Sequence, residues 1–168
     1  LCLGFDIMDN FRFPYAARGF SDFWNRWHIS LSSWLRDYLY IPLGGNRKGV
    51  RRTYINLMLT MLLGGLWHGA SWMFVIWGGL HGTYLAVERM LRQSPVNRWP
   101  VWDKAYGRVF LSLFTFFLVC VTWVFFRAPN LTHAFAMCTS MLDPGALYSF
   151  LSLVTISDLS KSASGGGV

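Results

Sequence analysis

The sequence predicts an all-α integral membrane protein with several spans, and three observations support this fold class. Hydrophobic residues make up 54% of the 168 residues and aromatic residues 18%, whereas charged residues make up only 14%. Residues 53–87 and 109–126 contain no Asp, Glu, Lys or Arg. So few polar side chains cannot cover this apolar mass in water, and a bilayer is its natural solvent. The composition excludes a disordered chain and disfavours an ordinary soluble enzyme.

The distribution of positive charge also indicates a membrane protein. The formal net charge is +7, and eight of the fifteen basic residues precede Thr53. Five more lie within residues 89–108, between the two uncharged blocks. Lys and Arg cluster in this way at the cytoplasmic ends of membrane segments, whereas a nucleic-acid-binding face would gather them on one surface. We therefore expect a lipid bilayer as partner and no nucleic acid.

Residues 20–41 are the first predicted element, an amphipathic helix. At 100° per residue its large apolar side chains share an arc about 100° wide. The arc contains Trp24, Trp27, Leu31, Trp34, Leu35 and Tyr38. A polar stripe beside it contains Asn25, His28, Ser32 and Arg36. Ser21 is the predicted N-cap, and Pro42 with Gly44-Gly45 ends the helix. Such a helix lies in the membrane interface or dips into the protein.

The uncharged block of residues 53–87 is the second element. It is too long for one straight span of about 20 residues and marginally short for two. Gly64-Gly65 and Gly69 are predicted to break it, because glycine weakens a helix and lets another backbone approach closely. We expect two short, broken or tilted helices, or a re-entrant path. A break at membrane depth persists only where protein or a water-filled cavity surrounds it, so it points to a site near His68.

Residues 109–126 are the clearest single span, because Arg108 and Arg127 bound 18 uncharged residues. Residues 146–156 are a further possible membrane helix after the turn at residues 143–145. The chain begins with Leu1 and has no apolar stretch with a cleavage site at its start, so we expect it to be a piece of a longer protein. Residues 1–168 are taken as part of one membrane domain.

Two of the four histidines are candidate functional residues. His68 lies in GGLWHGASW, inside the long uncharged block, where an ionisable group is a functional candidate by default. The alternative is a structural imidazole bonded to a carbonyl freed by the glycine break, and the spacing favours neither. For His28, on the polar stripe, a solvated surface position is the simpler interpretation. His81 is about 220° from His68 on an unbroken helix and is interpreted as structural. His133 is interpreted as incidental.

Other chemistries lack their motifs. The sequence contains no GxSxG, HExxH or phosphate-binding loop, and its acidic residues are scattered outside the long uncharged blocks. Cys2, Cys120 and Cys138 have no metal-ligand or CxxC spacing, so we predict no metal site, disulfide or nucleophilic cysteine. Histidine chemistry is the remaining possibility.

Three strings of residues resemble the membrane-bound O-acyltransferase family, most of all its bacterial alginate O-acetyltransferase branch. They are SDFWNRWHISLSSWLRDYLYIPLGGNRKG, RRTYINLMLTMLLGGLWHGASWMFVIWGGLHGTYLAVER and WVFFRAPNLTHA, and the resemblance covers about residues 1–141. It implies a multi-span membrane acyltransferase in which His68 matches the family's catalytic histidine and His28 its second, upstream polar position. It also implies that the chain is a C-terminal-centred portion of a larger protein.

The reaction implied by the resemblance moves an acetyl group from a cytoplasmic thioester towards a hydroxyl acceptor, for O-acetylation of an exopolysaccharide such as alginate. No bound cofactor is expected, since acetyl-CoA is a substrate. The cluster of Arg47, Lys48, Arg51 and Arg52 suits the CoA phosphates by charge, and anionic lipid headgroups equally well. The expected partner is a periplasmic protein that accepts or transfers the acetyl group, and the expected location is the bacterial inner membrane.

Two alternatives to this function stay open at the level of sequence. One is D-alanyl or other acyl transfer to a cell-envelope polymer, because such enzymes share the histidine strings. The other is a non-catalytic membrane component of a polysaccharide secretion complex, in which both histidines would be dispensable.

The basic flanks predict that the residues before Thr53 and the segment 88–108 both face the cytoplasm. We expect a membrane-impermeant maleimide, added to intact cells, to label neither Asn46→Cys nor Asn97→Cys in a cysteine-free background. Both positions should react after lysis. Labelling of either position from outside the cell would contradict this topology.

Overall fold

The computed structural model describes residues 8–143 and 145, and every regular element in this part of the chain is helical. The α-helices are α1 (Phe20–Trp24), α2 (Ile29–Leu35), α3 (Val50–His68), α4 (Trp72–Gln93), α5 (Ala105–Arg127) and α6 (Leu131–Met141). Shorter helical turns lie at Pro14–Ala16, Arg36–Tyr40, Pro95–Arg98 and Pro100–Asp103. The all-α prediction is confirmed for the described residues. The possible helix over residues 146–156 lies outside them.

The chain forms two compact units, one ending at Arg127 and the other beginning at Ala128. Helices α1–α5 belong to the first unit and α6 to the second. Asn130 caps α6, because its side-chain oxygen accepts a hydrogen bond from the backbone N–H of His133 at 3.0 Å. The same oxygen lies 2.8 Å from Nδ1 of His133, so this exposed ring is part of the helix cap.

Helices α3 and α4 form an antiparallel hairpin, which is the framework of the first unit. Contacts run in opposite directions along the two helices, since Gly65 lies against Phe74 near the turn and Met58 lies against Gly82 farther away. Ser71 begins α4 as its N-cap, and its Oγ accepts a hydrogen bond from the N–H of Met73 at 3.3 Å. The hairpin therefore confirms the prediction of two helices in the long uncharged block.

The prediction that Gly64-Gly65 breaks the helix is wrong. Helix α3 continues through both glycines to His68, and the chain reverses between Gly69 and Ser71. Both glycines are buried, and a Cβ at Gly65 would overlap the carbonyl oxygen of Phe74. Gly65 therefore allows close packing of the main chains of α3 and α4, and Gly64 lies against the side chain of Leu35 in α2. Gly69 alone ends the helix.

Helix α5 is the one helix among the described residues that is long and apolar enough to cross a membrane. Its 23 residues extend about 34 Å at 1.5 Å per residue, which suits a hydrocarbon core of about 30 Å. The predicted single span over residues 109–126 is thus confirmed as a helix of sufficient length. Helices α3 and α4 have 19 and 22 residues, a comparable length with a more polar composition.

The single amphipathic helix predicted over residues 20–41 is wrong, because the chain is interrupted between Trp24 and Ile29. His28 adopts the left-handed backbone conformation there, with φ 46° and ψ 54°. The interruption rotates the side-chain directions of α2 and the helical turn after it relative to those of α1. As a result Trp34 and Tyr38, placed on the apolar arc by the helical pattern, are 47% and 67% exposed.

Of the two predicted ends of the residue 20–41 segment, the structure confirms one and contradicts the other. The predicted N-cap is wrong, since Gly19 holds that position and Ser21 lies inside α1, where its N–H donates to Oε2 of Glu88 at 2.9 Å. The predicted end is confirmed, because the helical turns give way after Tyr40 to the turns around Gly44.

The core of the first unit is aromatic and joins α1 to the hairpin and to α5. Its buried members include Phe23, Trp24, Met61, Trp77 and Val119. In a bilayer such side chains stabilise the fold mainly by van der Waals packing, because lipid tails are as apolar as they are. This cluster holds α1 against the hairpin. The residues that follow α1, Trp27 and His28, therefore lie near His68 at the end of α3.

Gly78 and Gly79 form a matched pair for testing the hairpin contact. A Cβ at Gly78 would overlap the carbonyl oxygen of Met61, whereas a Cβ at Gly79 would have Leu62 Cδ2 as its nearest neighbour at 3.7 Å. Gly78→Ala should therefore destabilise the fold by about 1–3 kcal/mol. Gly79→Ala should be neutral or stabilising by up to about 1 kcal/mol. Thermal unfolding of the detergent-solubilised protein measures both, and equal Tm values would contradict the close packing.

Candidate active site

A cavity of about 410 Å³ lies where the start of α2, the end of α3, the first turns of α4 and the end of α5 meet. Its lining residues are Trp24, Trp27, His28, Leu31, His68, Trp77, Trp123, Phe126 and Arg127. Both candidate histidines are among them, although they are forty positions apart in the sequence. A largely apolar cavity of this size with a few converging polar groups is typical of a small-molecule site.

His68 is the last residue of α3 and is half-buried between aromatic rings. The rings of Trp77 and Phe126 approach it edge-on, with centroids 5.3 and 5.2 Å away. Within residues 8–143 and 145, neither of its ring nitrogens has a hydrogen-bond partner. The carbonyl bond considered as an alternative is thus not seen there, and both nitrogens are available to a molecule in the cavity.

The backbone at the chain reversal is satisfied locally and does not need the His68 ring. The N–H of Gly69 donates to the carbonyl oxygen of Leu66 at 3.2 Å, and the N–H of Ser71 donates to that of Gly69 at 2.9 Å. A Cβ at Gly69 would lie 2.7 Å from a ring carbon of Phe74, so glycine at this position lets the Phe74 ring pack against the turn.

His28 reaches the cavity because a second segment of chain holds its turn in place. Asn10 accepts hydrogen bonds from three groups after the turn: its carbonyl from the N–H of Ile29 at 3.0 Å, and its side-chain oxygen from the N–H and Oγ of Ser30 at 3.1 and 2.9 Å. A left-handed non-glycine residue costs about 1–3 kcal/mol and persists where its surroundings determine it, often at functional sites. His28 is half-buried. A solvated surface position therefore does not describe His28, although Asn25 and Arg36 of the same polar stripe are exposed.

Asp22 and Arg26 fix the other side of the same turn. Nε of Arg26 donates to Oδ1 of Asp22 at 2.6 Å, and the N–H of Arg18 donates to Oδ2 at 3.1 Å. Burial raises the pKa of the Asp22 carboxyl, but these hydrogen bonds and the two arginine charges outweigh it and hold the pKa below its usual value. The carboxylate is therefore ionised at neutral pH and stabilises the turn.

His81 lies in the core and does not line the cavity. It is fully buried, and neither ring nitrogen has a hydrogen-bond partner among the described residues. Its ring lies 5.1 Å from that of Trp24 and 4.7 Å from that of Trp77. Trp77 therefore contacts both His81 and His68. The structural role of His81 stays a prediction, and its packing is that of a core residue.

Two further cavities adjoin the histidine cavity by sharing residues with it. One of about 250 Å³ shares Trp24 and contains polar groups, including Ser32, Arg36, Tyr40 and Thr60. Another of about 450 Å³ shares His28 and Leu31 and includes Ser30, Trp34 and Trp67. His28 therefore lines both the histidine cavity and the cavity of about 450 Å³. Trp24 lines both the histidine cavity and the cavity of about 250 Å³.

The basic cluster does not reach the histidine cavity. Arg47, Lys48, Arg51 and Arg52 are exposed around the start of α3, whereas His68 is at its end. Sixteen positions of helix separate Arg52 from His68, which is about 24 Å at 1.5 Å per residue. The ion pairs of the described residues involve none of these four side chains. Their charge is free to meet an anion at that end.

No group of three His, Cys, Asp or Glu side chains that could hold a metal ion occurs in residues 8–143 and 145. Cys120 and Cys138 are free thiols, and neither lines the histidine cavity. Cys2 lies outside the described residues.

The aromatic walls and Arg127 are not apparent from the sequence. Trp77 and Trp123 are two of many apolar residues in uncharged blocks, and Arg127 is simply the charge that ends one of them. One signal could have found Arg127. If α3, α4 and α5 alternate in direction, the end of residues 109–126 lies on the same side as His68.

The comparisons with known proteins extend this picture. The chain is 51% identical over 164 residues to the probable alginate O-acetylase AlgI of Azotobacter vinelandii, covering 96% of this chain and 30% of that protein. It is 43% identical over 155 residues to the peptidoglycan O-acetyltransferase of Helicobacter pylori, covering 92% and 27%. It is 28% identical over 147 residues to the teichoic acid D-alanyltransferase of Bacillus subtilis, covering 78% and 35%. The chain thus spans about a third of the length of these relatives.

The match to a protein family is broader than any single motif. The membrane-bound O-acyltransferase family matches residues 1–128, which include both histidines of the cavity and all five helices that contribute lining residues to it. The resemblance seen in the histidine strings is therefore confirmed, and the chain belongs to the membrane-bound O-acyltransferase family.

Proposed function

We propose that the protein to which these residues belong is a membrane-embedded O-acyltransferase, which moves an acetyl group from a cytoplasmic thioester towards a hydroxyl acceptor for exopolysaccharide O-acetylation, with alginate as the polymer. The cavity that holds both His28 and His68 carries this proposal. Relatives named as an alginate O-acetylase and a peptidoglycan O-acetyltransferase support the acyl group and the acceptor class. Because the chain is about a third as long as they are, the activity is that of the whole protein.

His68 acts as the general base in this proposal. It lines the cavity, and neither of its ring nitrogens has a hydrogen-bond partner among the described residues. A neutral imidazole takes the proton of the acceptor hydroxyl while the hydroxyl oxygen bonds to the acyl carbon. The carbon–sulfur bond then breaks, and the thiolate leaves with the proton that the imidazolium returns. The transfer is direct, since neither described cysteine lines the cavity.

His28 positions the thioester. Its backbone is held by Asn10 through the hydrogen bonds after the turn, so its ring enters the cavity from a fixed point. An imidazole N–H can donate to the carbonyl oxygen, on which negative charge develops as the hydroxyl attacks. A preorganised donor of this kind loses little free energy to reorganisation during the reaction.

Acetyl-CoA is the proposed donor, as a substrate and with no bound cofactor. The unpaired cluster of Arg47, Lys48, Arg51 and Arg52 suits its phosphates, as it also suits anionic lipid headgroups. The cavity of about 250 Å³, which contains several polar groups, borders α3 at Leu57, Thr60 and Met61, between the cluster and His68. A linear donor that lies along α3 would therefore meet polar groups on its way to the base.

The protein is proposed to be a multi-pass protein of the bacterial inner membrane, with residues 1–168 as part of one membrane domain. The apolar length of α5 and the comparable lengths of α3 and α4 support this location. A periplasmic protein that accepts or transfers the acetyl group is the proposed partner, and a polysaccharide is the final acceptor. D-alanyl transfer is the second candidate function, because a teichoic acid D-alanyltransferase is among the relatives.

His68→Ala in the full-length protein should lower acetyl transfer by at least about 10²-fold, because a positioned base contributes that much. His28→Ala should lower acetyl transfer to a similar extent, since both residues line one cavity. Polymer acetylation in cells, divided by the amount of folded protein in the membrane, measures the effect.

His81→Ala and His133→Ala are the matched controls for this experiment, and both should cost far less per folded molecule. His81 tests removal of a buried imidazole outside the cavity, and His133 tests removal of an exposed one. A well-inserted His68→Ala protein that acetylates at the wild-type rate would overturn the assignment and favour the non-catalytic alternative.

A further inference from the structure

Arg127 contributes the one permanent charge among the residues that line the histidine cavity. It ends α5, directly after Phe126, whose ring centroid lies 5.2 Å from that of His68. The other ionisable groups in the lining are the two imidazoles, and none of the lining residues carries a carboxylate. The local charge is therefore positive whenever the histidines are neutral, and it increases if either takes a proton.

Nothing in the described part of the chain neutralises this guanidinium. The carboxylates that form ion pairs there belong to Asp9, Asp22, Asp37 and Glu88, and their partners are other arginines. Arg127 itself is exposed and is one of the residues that line the cavity. Any ligand in the cavity is subject to this charge.

The aromatic walls alone would have the opposite preference. Four tryptophans and Phe126 line the cavity, and the faces of such rings attract cations, most strongly for tryptophan. A cavity with these walls and no arginine would therefore accept an ammonium group. A fixed positive charge beside it repels the same group, and the repulsion is stronger near low-dielectric walls than in bulk water.

We propose that Arg127 makes this cavity selective for acyl groups without a positive charge, so that acetyl is accepted and an aminoacyl group such as D-alanyl is rejected. The ammonium of an α-aminoacyl group is largely charged at neutral pH, since its pKa is about 7.7–8.0. The inference rests on the proposed function, because it assumes that a thioester places its acyl group beside His68. It assigns Arg127 as a specificity-determining residue.

The test uses two unreactive CoA thioethers of equal size and shape. S-propyl-CoA ends in a methyl group, and S-(2-aminoethyl)-CoA ends in an ammonium at the same position. Their dissociation constants are measured by calorimetry on the full-length protein in detergent at pH 7. The ratio of the two constants within one preparation is independent of the fraction of folded protein and of any acceptor.

The wild-type protein should bind the propyl thioether at least about tenfold more tightly than the aminoethyl thioether. Arg127→Gln should reduce this ratio by about tenfold, because the repulsive charge is removed and the aromatic walls remain. Arg127→Lys should keep the ratio within about threefold of wild type, since the charge is retained. Arg108→Gln is the matched control, because Arg108 is exposed on the same helix about 28 Å away and should leave the ratio unchanged.

Failure of this inference is distinguishable from failure of the proposed function. An unchanged ratio in Arg127→Gln, with tight binding of the propyl thioether, overturns the role of Arg127 and leaves the acyltransferase proposal intact. A wild-type preference for the aminoethyl thioether likewise overturns it and favours the D-alanyl alternative. Absence of binding by either thioether overturns the proposed CoA donor, and the inference with it.

Discussion

The direct contact between the main chains of α3 and α4 determines the position of everything else at the site. Gly65 on one helix and Gly78 on the other leave no room for a Cβ, so each lies against a carbonyl of its neighbour. This close contact sets the position of His68 on α3 relative to Trp77 on α4. It also allows α5 to pack against the end of the hairpin. An added methyl group would separate the helices and widen the cavity between them, since close-packed interiors absorb extra volume poorly.

The turn at His28 shows how a second histidine reaches the same cavity. A continuous helix over residues 20–41 would have placed this side chain by helical periodicity alone. Instead the chain is interrupted, which leaves the N–H groups of Ile29 and Ser30 without helical partners. Asn10 accepts hydrogen bonds from both. The strained backbone of His28 is therefore determined by a residue far away in sequence, which is the usual way that strain persists at functional sites.

The cavity combines groups whose charges and polarities have opposite effects on a ligand. Its indole and phenyl rings are apolar and attract cations, its imidazoles are suited to the transfer and donation of protons in the proposed reaction, and Arg127 carries the charge proposed to repel cations. Apolar walls strengthen an electrostatic interaction beside them relative to the same interaction in bulk water. A reaction that develops negative charge on a thioester oxygen suits this combination, whereas a cationic acyl group does not.

The sequence by itself determined the helical class, the two uncharged blocks, the family strings and the two histidines, because hydrophobic patterning and local motifs record these features directly. It also located α5 closely, since two arginines bound an uninterrupted apolar run. Only the tertiary structure decided that Gly64-Gly65 packs helices instead of breaking one, that His28 faces a cavity, and that Arg127 joins it. Each of these depends on a partner from another element, Phe74, Asn10 or His68, and a periodicity within one segment carries no information about such a partner.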